Sequence, residues 1–202
     1  MEQSYAQEHV QRPESDPRRN EASEWIKAII IAILLVVAIR RLLFAPFIVD
    51  GESMQPNFFT NERIIVNQFG YYFHKPKPGD VIVFHVPQEG RDFIKRVIAV
   101  PGDTVKVEGD IVIVNGKVIS EPYIKSAIEA AHQQDILYNT RDFPNSSVPE
   151  DTVPVGHLFV MGDNRSKSED SRMIGYIPYK NIVGQANLVF WPFKDIHIIK
   201  KS

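Results

Sequence analysis

The clearest pattern in the sequence is a change in hydrophobic periodicity near residue 45. Before that point, residues 28–39 form an unbroken apolar run flanked by Lys27 and Arg40. After it, short β-branched runs alternate with turn residues as far as the carboxyl end. A continuous apolar run predicts a helix, whereas short runs bounded by glycine, proline and asparagine predict strands. The pattern therefore divides the chain into one apolar helix and a mainly β domain over residues 45–202.

The apolar segment predicts a membrane anchor over residues 25–44. As a helix, the stretch from Trp25 to Leu43 covers about 28 Å, close to the ~30 Å hydrocarbon core. A cleaved signal peptide would need a small-residue cleavage pattern, which residues 42–50 lack, and a buried core helix is seldom apolar on every side. The excess of positive charge before the helix predicts a cytoplasmic amino terminus and an extracytoplasmic β domain. The polar residues 1–24 predict a disordered cytoplasmic tail.

The β domain contains nine predicted strands and two predicted hairpin turns. The turns are Gly109-Asp110 and Asn115-Gly116, both typical of tight hairpins. Residues 121–156 are polar and irregular, with one short helix predicted near 124–133, and we interpret them as an insertion on an antiparallel β core. The predicted strands are 63–67, 80–86, 93–100, 104–108, 111–114, 117–119, 157–161, 186–191 and 196–199.

Composition excludes several classes of function. The 202 residues carry a net charge of −2 and no cysteine. Without cysteine there is no disulfide, no thiolate nucleophile and no cysteine-ligated zinc. A net charge near zero is not typical of a nucleic-acid-binding protein. The six histidines lack metal-ligand spacing such as H-E-x-x-H. We therefore expect neither a metal nor a nucleic-acid partner.

Two polar residues stand out as candidates for chemistry. Ser53 follows the apolar segment, but Gln55 stands where the G-x-S-x-G nucleophile elbow requires glycine. Lys95 shares a predicted strand face with Phe93 and Val97, where desolvation lowers the pKa of a lysine. A neutral lysine can accept the proton of a serine hydroxyl. Two alternatives stay open, namely that Lys95 is a charged strand lysine, or that one of the later histidines is the base.

A dense polar loop over residues 162–172 is the third unusual feature. It combines acids, amides and arginines, and it lacks the ligand alternation and central glycine of an EF-hand. The loop is either a solvated turn or a buried hydrogen-bond network that supports a site.

Four motifs, in this order, resemble those of the bacterial type I signal peptidases, in the short single-anchor form typical of Gram-positive bacteria. They are SMQP at 53–56, GDVIVF at 79–84, KRVIAVPGD at 95–103, and GDNR at 162–165 followed by Ser168 and DSR at 170–172. The resemblance implies antiparallel sheets forming a signal-peptidase-like catalytic domain behind one transmembrane helix. It also implies a membrane-bound serine endopeptidase, without metal or other cofactor, that removes signal peptides from exported preproteins after Ala-x-Ala-like sites.

The resemblance further implies roles for the residues of the reaction centre. Ser53 would attack the scissile carbonyl while neutral Lys95 acts as the general base. Ser168 would hydrogen-bond and orient the Lys95 amine. The Ser53 backbone N–H would stabilise the oxyanion, a role in which preorganised donors are effective.

Other residues are implied to support the loop and to bind the substrate. Asp170 would pair with Arg172, and Arg96 is a second candidate partner for it. The substrate is expected to bind in an extended conformation beside a strand edge. The residues implied to line shallow apolar pockets are Phe47, Val49, Met54 and Ile94.

Two residues depart from the family pattern. Asn57 stands where the family usually has threonine or serine, and we expect little loss because asparagine suits a turn. Gly51 stands where some relatives carry a serine that assists the oxyanion hole, which leaves the second oxyanion donor undetermined. Two other functions remain as alternatives: a membrane-anchored β-rich binding module without catalysis, and a Ser-Lys protease of different specificity.

Overall fold

The computed structural model describes the backbone of residues 17–42 and 44–199 and the side chains of residues 21–37 and 45–199. The described residues form two compact units, one up to residue 39 and the other from residue 40 onward.

Helix α1 (Pro17–Leu42) accounts for the described part of the first unit. Proline is favoured in the first turn of a helix, because its missing N–H would have no partner there. The predicted disordered tail is therefore wrong for residues 17–24, whereas residues 1–16 lie outside the described residues. The large apolar side chains from Trp25 to Val37 are each 50% exposed or more. None of the helices in the described part of the chain combines the length and hydropathy needed to cross a bilayer.

The second unit is mainly β, as predicted, and all of its described strand pairs are antiparallel. Its described residues also contain three short α-helices, α2 (Gly70–Phe73), α3 (Lys125–His132) and α4 (Ser171–Ile174), and two 3-10 helices, Tyr179–Asn181 and Phe193–Asp195. The strands are β1 (Phe44–Ile48), β2 (Arg63–Asn67), β3 (Val81–Val86), β4 (Arg91–Ala99), β5 (Val105–Glu108), β6 (Ile111–Val114), β7 (Lys117–Val118), β8 (His157–Met161), β9 (Ile177–Pro178), β10 (Ile182–Trp191) and β11 (His197–Ile198).

Two sheets make up this unit. The larger has the order β1-β2-β10-β3-β4-β8-β9, with β11 also paired to β10, and the smaller has the order β5-β6-β7. Strand β3 lies inside the larger sheet, and its alternate side chains pack in two different hydrophobic cores. Val81 and Val83 pack with Met54 and Phe58, whereas Ile82 and Phe84 pack with Phe93 and Leu158. Such burial on both sides explains why β3 is a nearly continuous apolar run.

The nine predicted strands are all confirmed, with β2, β6 and β8 correct at both ends. Strand β10 is longer than predicted, because it begins at Ile182 rather than Ala186. Strands β1 and β9 were missed. Pro46 interrupts the pattern of β1, although proline is compatible with an edge strand, and β9 has only two residues.

The predicted hairpin turns and the predicted helix are also confirmed. Gly109, Asn115 and Gly116 have positive φ angles of 53°, 51° and 74°, as tight hairpins require. Helix α3 occupies the region predicted to be helical. The insertion packs on the smaller sheet, where Phe143 bridges to Val107 and lies in one core with Phe159.

Candidate active site

Ser53 lies, half-buried, in a turn that follows β1. Gly51 begins the turn with a φ of 91°, a conformation that favours glycine. The Gln55 N–H then donates to the Glu52 carbonyl oxygen at 3.1 Å. The Asn164 N–H donates to the Ser53 carbonyl oxygen at 3.0 Å. The loop 162–172 therefore fixes the backbone of the candidate nucleophile through this hydrogen bond.

Lys95, on β4, contacts this serine directly. Its Nζ atom lies 2.8 Å from Ser53 Oγ and 3.0 Å from the Ile94 carbonyl oxygen. The Nζ atom also lies 4.9 Å from the centroid of the Phe93 ring. The residue is only 3% exposed, and within the described chain it forms no ion pair. The structure thus brings together the two residues predicted to be nucleophile and base.

Burial lowers the pKa of Lys95 from its usual 10.5 to about 8. Desolvation is the main cause, since the charged amine loses its hydration. The negative charges of Asp170 and Glu169 raise this pKa and so offset part of the shift, while the positive charge of Arg91 lowers it further. At pH 7.5 about a quarter of the Lys95 amines are neutral, against roughly one in a thousand for an unperturbed lysine.

A cleft of about 440 Å³ opens over the Ser53–Lys95 pair. Of the four predicted pocket residues, Phe47, Val49 and Ile94 line it. Met54 does not, because its side chain is 1% exposed and packs in the core beneath. The prediction for Met54 is therefore wrong. The other apolar residues that line the cleft are Ile48, Ile64, Val83 and Phe93.

The loop 162–172 is a buried network rather than a solvated turn. Asp170 pairs with Arg172 at 2.7 Å, as predicted, and also accepts the Gly162 N–H at 2.9 Å. Burial alone would raise the pKa of Asp170, but the hydrogen bonds and charge of Arg172 outweigh it and lower that pKa. Arg96, the second candidate partner of Asp170, forms a bidentate pair with Asp163, with both distances 2.8 Å.

Ser168 is close to the predicted position but does not make the predicted contact. The hydrogen bond expected from Ser168 to Lys95 is not formed, and Ser168 Oγ has no partner of good geometry among the described residues. It lies near enough to Asp170 to help lower the pKa of that carboxyl. It also packs against Gly162, where a Cβ atom would lie 2.2 Å from Ser168 Oγ.

Several residues around the site carried no assigned role in the sequence. Asp163 joins Arg96 to the loop, and Arg165 forms a buried ion pair with Glu121 of the insertion. The Asn139 side chain accepts a short hydrogen bond from Arg172. Asp163 and Arg165 lie within one of the four motifs, so the sequence offered a signal for them. Glu121 and Asn139 lie in the irregular segment, where no pattern indicated them.

The histidines are not placed to act as the alternative base. No histidine of the described chain lines the cleft. His85 and His132 pair with Asp92 and Asp110 respectively, and both histidine side chains are about half exposed. Lys95 is thus the one basic group that the structure shows in contact with Ser53 Oγ among the residues it describes.

Comparison with known proteins relates this site to one family. The family model described as signal peptidase, peptidase S26, matches residues 22–191. Signal peptidase I P of Bacillus subtilis subsp. natto is 42% identical over 184 residues, covering 91% of this chain and 96% of that protein. Signal peptidase IB of Staphylococcus aureus is 38% identical over 181 residues, covering 88% of this chain and 93% of that protein.

A solved structure agrees with these sequence relatives. The crystal structure of a signal peptidase I from Enterococcus faecalis superposes with a TM-score of 0.51 at 36% sequence identity. The match covers 55% of this chain and 97% of that one. Since the family model and the relatives each span most of the sequence, the chain belongs to the signal peptidase I family, peptidase S26, and is a serine endopeptidase.

Proposed function

We propose that this protein cleaves signal peptides from exported preproteins, with Ser53 as the nucleophile and neutral Lys95 as the general base. The observation that carries the proposal is the 2.8 Å contact between Ser53 Oγ and a buried Lys95 amine. A nucleophile within hydrogen-bond reach of a base whose pKa lies near the working pH is the arrangement that covalent catalysis requires.

In the acylation step, Lys95 Nζ accepts the Ser53 hydroxyl proton while Oγ attacks the scissile carbonyl carbon. The tetrahedral intermediate carries a negative charge on the former carbonyl oxygen. Collapse of the intermediate breaks the C–N bond, and protonated Lys95 gives its proton to the leaving amine. Lys95 is then neutral again and takes a proton from the water that attacks the acyl-enzyme. When the bond between the acyl carbon and Oγ breaks, Lys95 returns this proton to Oγ, which releases the carboxyl product and regenerates Ser53.

The Ser53 backbone N–H is the proposed oxyanion donor. Within the described chain this N–H donates no hydrogen bond to a protein acceptor, so it is available to an oxygen of the substrate. The Asn164 N–H fixes the orientation of this peptide group by binding the Ser53 carbonyl oxygen. A donor fixed in advance stabilises developing charge without reorganisation during the reaction.

The cleft supports a preference for small apolar residues on the acyl side of the cleaved bond. Phe47, Val49 and Ile94 line its walls and leave a total volume of only about 440 Å³. Residues 91–95 of β4 pair with β3 on one side, while β8 pairs with β4 only from Arg96 onward. The free edge of β4 gives an extended peptide a place to add main-chain hydrogen bonds. Cleavage after Ala-x-Ala-like sequences is consistent with this arrangement.

The loop 162–172 is proposed to hold the two reacting residues in place. Asp170, with Arg172, fixes Gly162 below Ser53, and Arg96, with Asp163, ties the loop to the strand of Lys95. In the same proposal the hydroxyl of Ser168, which lacks a well-aligned partner, is available to the Lys95 amine once a substrate alters the site.

We also propose that α1 anchors the protein in the cell membrane, so that the lipid bilayer is a partner. The exposure of every large apolar side chain from Trp25 to Val37 supports this, because such a surface is stable in lipid rather than in water. Arg12, Arg18, Arg19 and Lys27 outnumber Arg40 and Arg41, which favours a cytoplasmic amino terminus and an extracytoplasmic catalytic domain. Protease treatment of intact protoplasts should remove the β domain; its full protection would contradict this orientation.

The function is tested by cleavage of a model preprotein that carries an Ala-x-Ala site. Detergent-solubilised wild type is compared with Ser53→Ala and Lys95→Ala, with circular dichroism to confirm that each is folded. Cleavage by wild type alone is the expected result. A Lys95→Ala variant that keeps most of its rate would mean that the base lies elsewhere. A folded wild type that cuts no preprotein would favour a binding module, and cleavage only at other sites would favour a Ser-Lys protease of different specificity.

A further inference from the structure

Asn57 makes two hydrogen bonds that its sequence context does not suggest. Its side-chain Nδ2 donates to Asp163 Oδ2 at 2.8 Å and to the Tyr123 carbonyl oxygen at 2.9 Å. Both N–H bonds of the amide are therefore used. Asn57 lies in the turn that carries Ser53, so these bonds connect that turn to the loop 162–172 and to the insertion.

Asp163, the acceptor of one of these bonds, lies between the neighbours of the two reacting residues. Its carboxylate binds Arg96, the residue next to Lys95, through two hydrogen bonds of 2.8 Å. The residue that follows it, Asn164, donates its N–H to the Ser53 carbonyl oxygen. Asp163 is fully buried, so these contacts are shielded from water. Asn57 is the link from this carboxylate back to the nucleophile turn.

The insertion contacts the same turn at a second point. Tyr138 OH lies 3.0 Å from the Asp163 carbonyl oxygen and 3.4 Å from the Gln55 carbonyl oxygen. The Tyr123 ring covers the Arg96 guanidinium at 3.9 Å from the ring centroid. Two tyrosines of the insertion thus enclose the Asn57–Asp163–Arg96 contacts.

We infer that Asn57 is a positioning residue for catalysis, which holds the Ser53 turn at its distance from Lys95 by bridging Asp163 and the Tyr123 carbonyl. The inference rests on the proposed Ser-Lys function. The expectation that asparagine at this position is merely compatible with a turn is therefore replaced by a specific role. Because Ser53 Oγ is positioned by its turn and Lys95 by β4, the bridge between turn and strand sets their separation. A displacement of about 1 Å at a reaction centre can cost on the order of 100-fold in rate.

The test measures kcat and KM of full-length, detergent-solubilised protein on the model preprotein, together with the midpoint of thermal unfolding. Asn57→Ala removes both hydrogen bonds, and Asn57→Thr restores one donor. Tyr138→Phe removes only the hydroxyl contacts from the insertion. Asn187→Ala is the matched control, because Asn187 is exposed and its side chain makes no hydrogen bond within the described chain.

We expect Asn57→Ala to lower kcat per folded enzyme at least 10-fold with KM within about twofold of wild type. Asn57→Thr should recover part of the loss, Tyr138→Phe should lower kcat about threefold, and Asn187→Ala should match wild type. A structural role alone would lower the unfolding midpoint and leave kcat per folded enzyme unchanged.

The inference is overturned if Asn57→Ala keeps kcat within twofold of wild type, or if its loss of activity equals its loss of folded protein. Should Asn57→Ala not fold, Asn57→Leu, of similar size and without either donor, decides: a lower kcat at constant KM supports the inference, and an unchanged kcat contradicts it. Absence of cleavage by wild type itself would instead contradict the proposed function, which keeps the two failures distinguishable.

Discussion

Lys95 and Arg96 are adjacent basic residues on β4, equally buried at 3% and 2% exposure, and yet they are stabilised in opposite ways. Neighbouring residues of a strand point to opposite faces. Lys95 faces Ser53 and forms no ion pair within the described chain. Arg96 meets the buried carboxylate of Asp163 in a bidentate pair.

The difference shows how one strand supplies both a base and a scaffold. Burial without a partnering anion lowers the pKa of a lysine and so enlarges its neutral fraction, and a neutral amine is what proton abstraction needs. A buried arginine remains charged at any accessible pH, so it requires an anion, and the planar guanidinium fits a carboxylate bidentately. Each residue type is matched to its environment, and the two positions are not interchangeable.

The largest effect should come from replacing the unpaired residue. We expect Lys95→Met to lower the cleavage rate by at least about 10³-fold, because no other base of the described residues contacts Ser53 Oγ. It should also stabilise the fold, by on the order of 3 kcal/mol at pH 7, because the cost of burying a group whose pKa falls from 10.5 to about 8 is removed. Urea unfolding measures this difference.

The sign of the pH dependence provides the control for this variant. The pKa of Lys95 is higher in the unfolded chain than in the folded chain. The free energy of unfolding of the wild type therefore rises with pH between about pH 8 and 10.5, and Lys95→Met lacks this rise. The stability advantage of Lys95→Met should therefore shrink over that range. A constant difference from pH 7 to pH 10 would contradict the lowered pKa.

The same substitution at the paired residue should have the opposite effect on stability. We expect Arg96→Met to lower the free energy of unfolding by about 3–5 kcal/mol, because it leaves the Asp163 carboxylate buried without its cation. Urea unfolding of both methionine variants at pH 7 compares them directly. Destabilisation of equal size in both would contradict the distinction between the two positions.

A smaller effect is expected from a substitution that crowds the contact between Gly162 and the Ser53 carbonyl oxygen. A Cβ atom on Gly162 would lie 2.4 Å from the Ser53 carbonyl oxygen. We expect Gly162→Ala to lower kcat about 10- to 100-fold by displacing the nucleophile, while Gly70→Ala, whose Cβ would come no closer than 3.3 Å to another residue, serves as a control. Full activity of Gly162→Ala in the preprotein assay would mean that the turn tolerates a shift.

The smallest expected effect is a shift in the pH profile of cleavage when Glu169 is replaced. The cleavage rate should rise with pH and reach half its maximum near pH 8, as neutral Lys95 accumulates. Because the charge of Glu169 raises the pKa of Lys95, Glu169→Gln should shift this midpoint to lower pH. A shift to higher pH, measured by initial rates from pH 6 to 10, would contradict the electrostatic assignment.

Local patterns predicted most of the elements but not all of the contacts. The strands 63–67, 111–114 and 157–161 were predicted at both ends, because β-branched runs between turn residues depend on neighbours in sequence. The pairing of Arg96 with Asp163, and the burial of Met54, depend on residues distant in sequence. Asn57 shows the same limit, since its partners lie 66 and 106 residues away.

The sequence by itself determined the mainly β architecture, its principal turns, the apolar segment before it and the pair of residues, Ser53 and Lys95, in which chemistry was expected. Periodicity and turn chemistry are local properties, so they can be recognised without knowing the fold. Only the tertiary structure decided which acid meets which base, which apolar side chains face the cleft, and that Asn57 bridges the nucleophile turn to Asp163. Those outcomes depend on burial and on distances between segments, which no local pattern encodes.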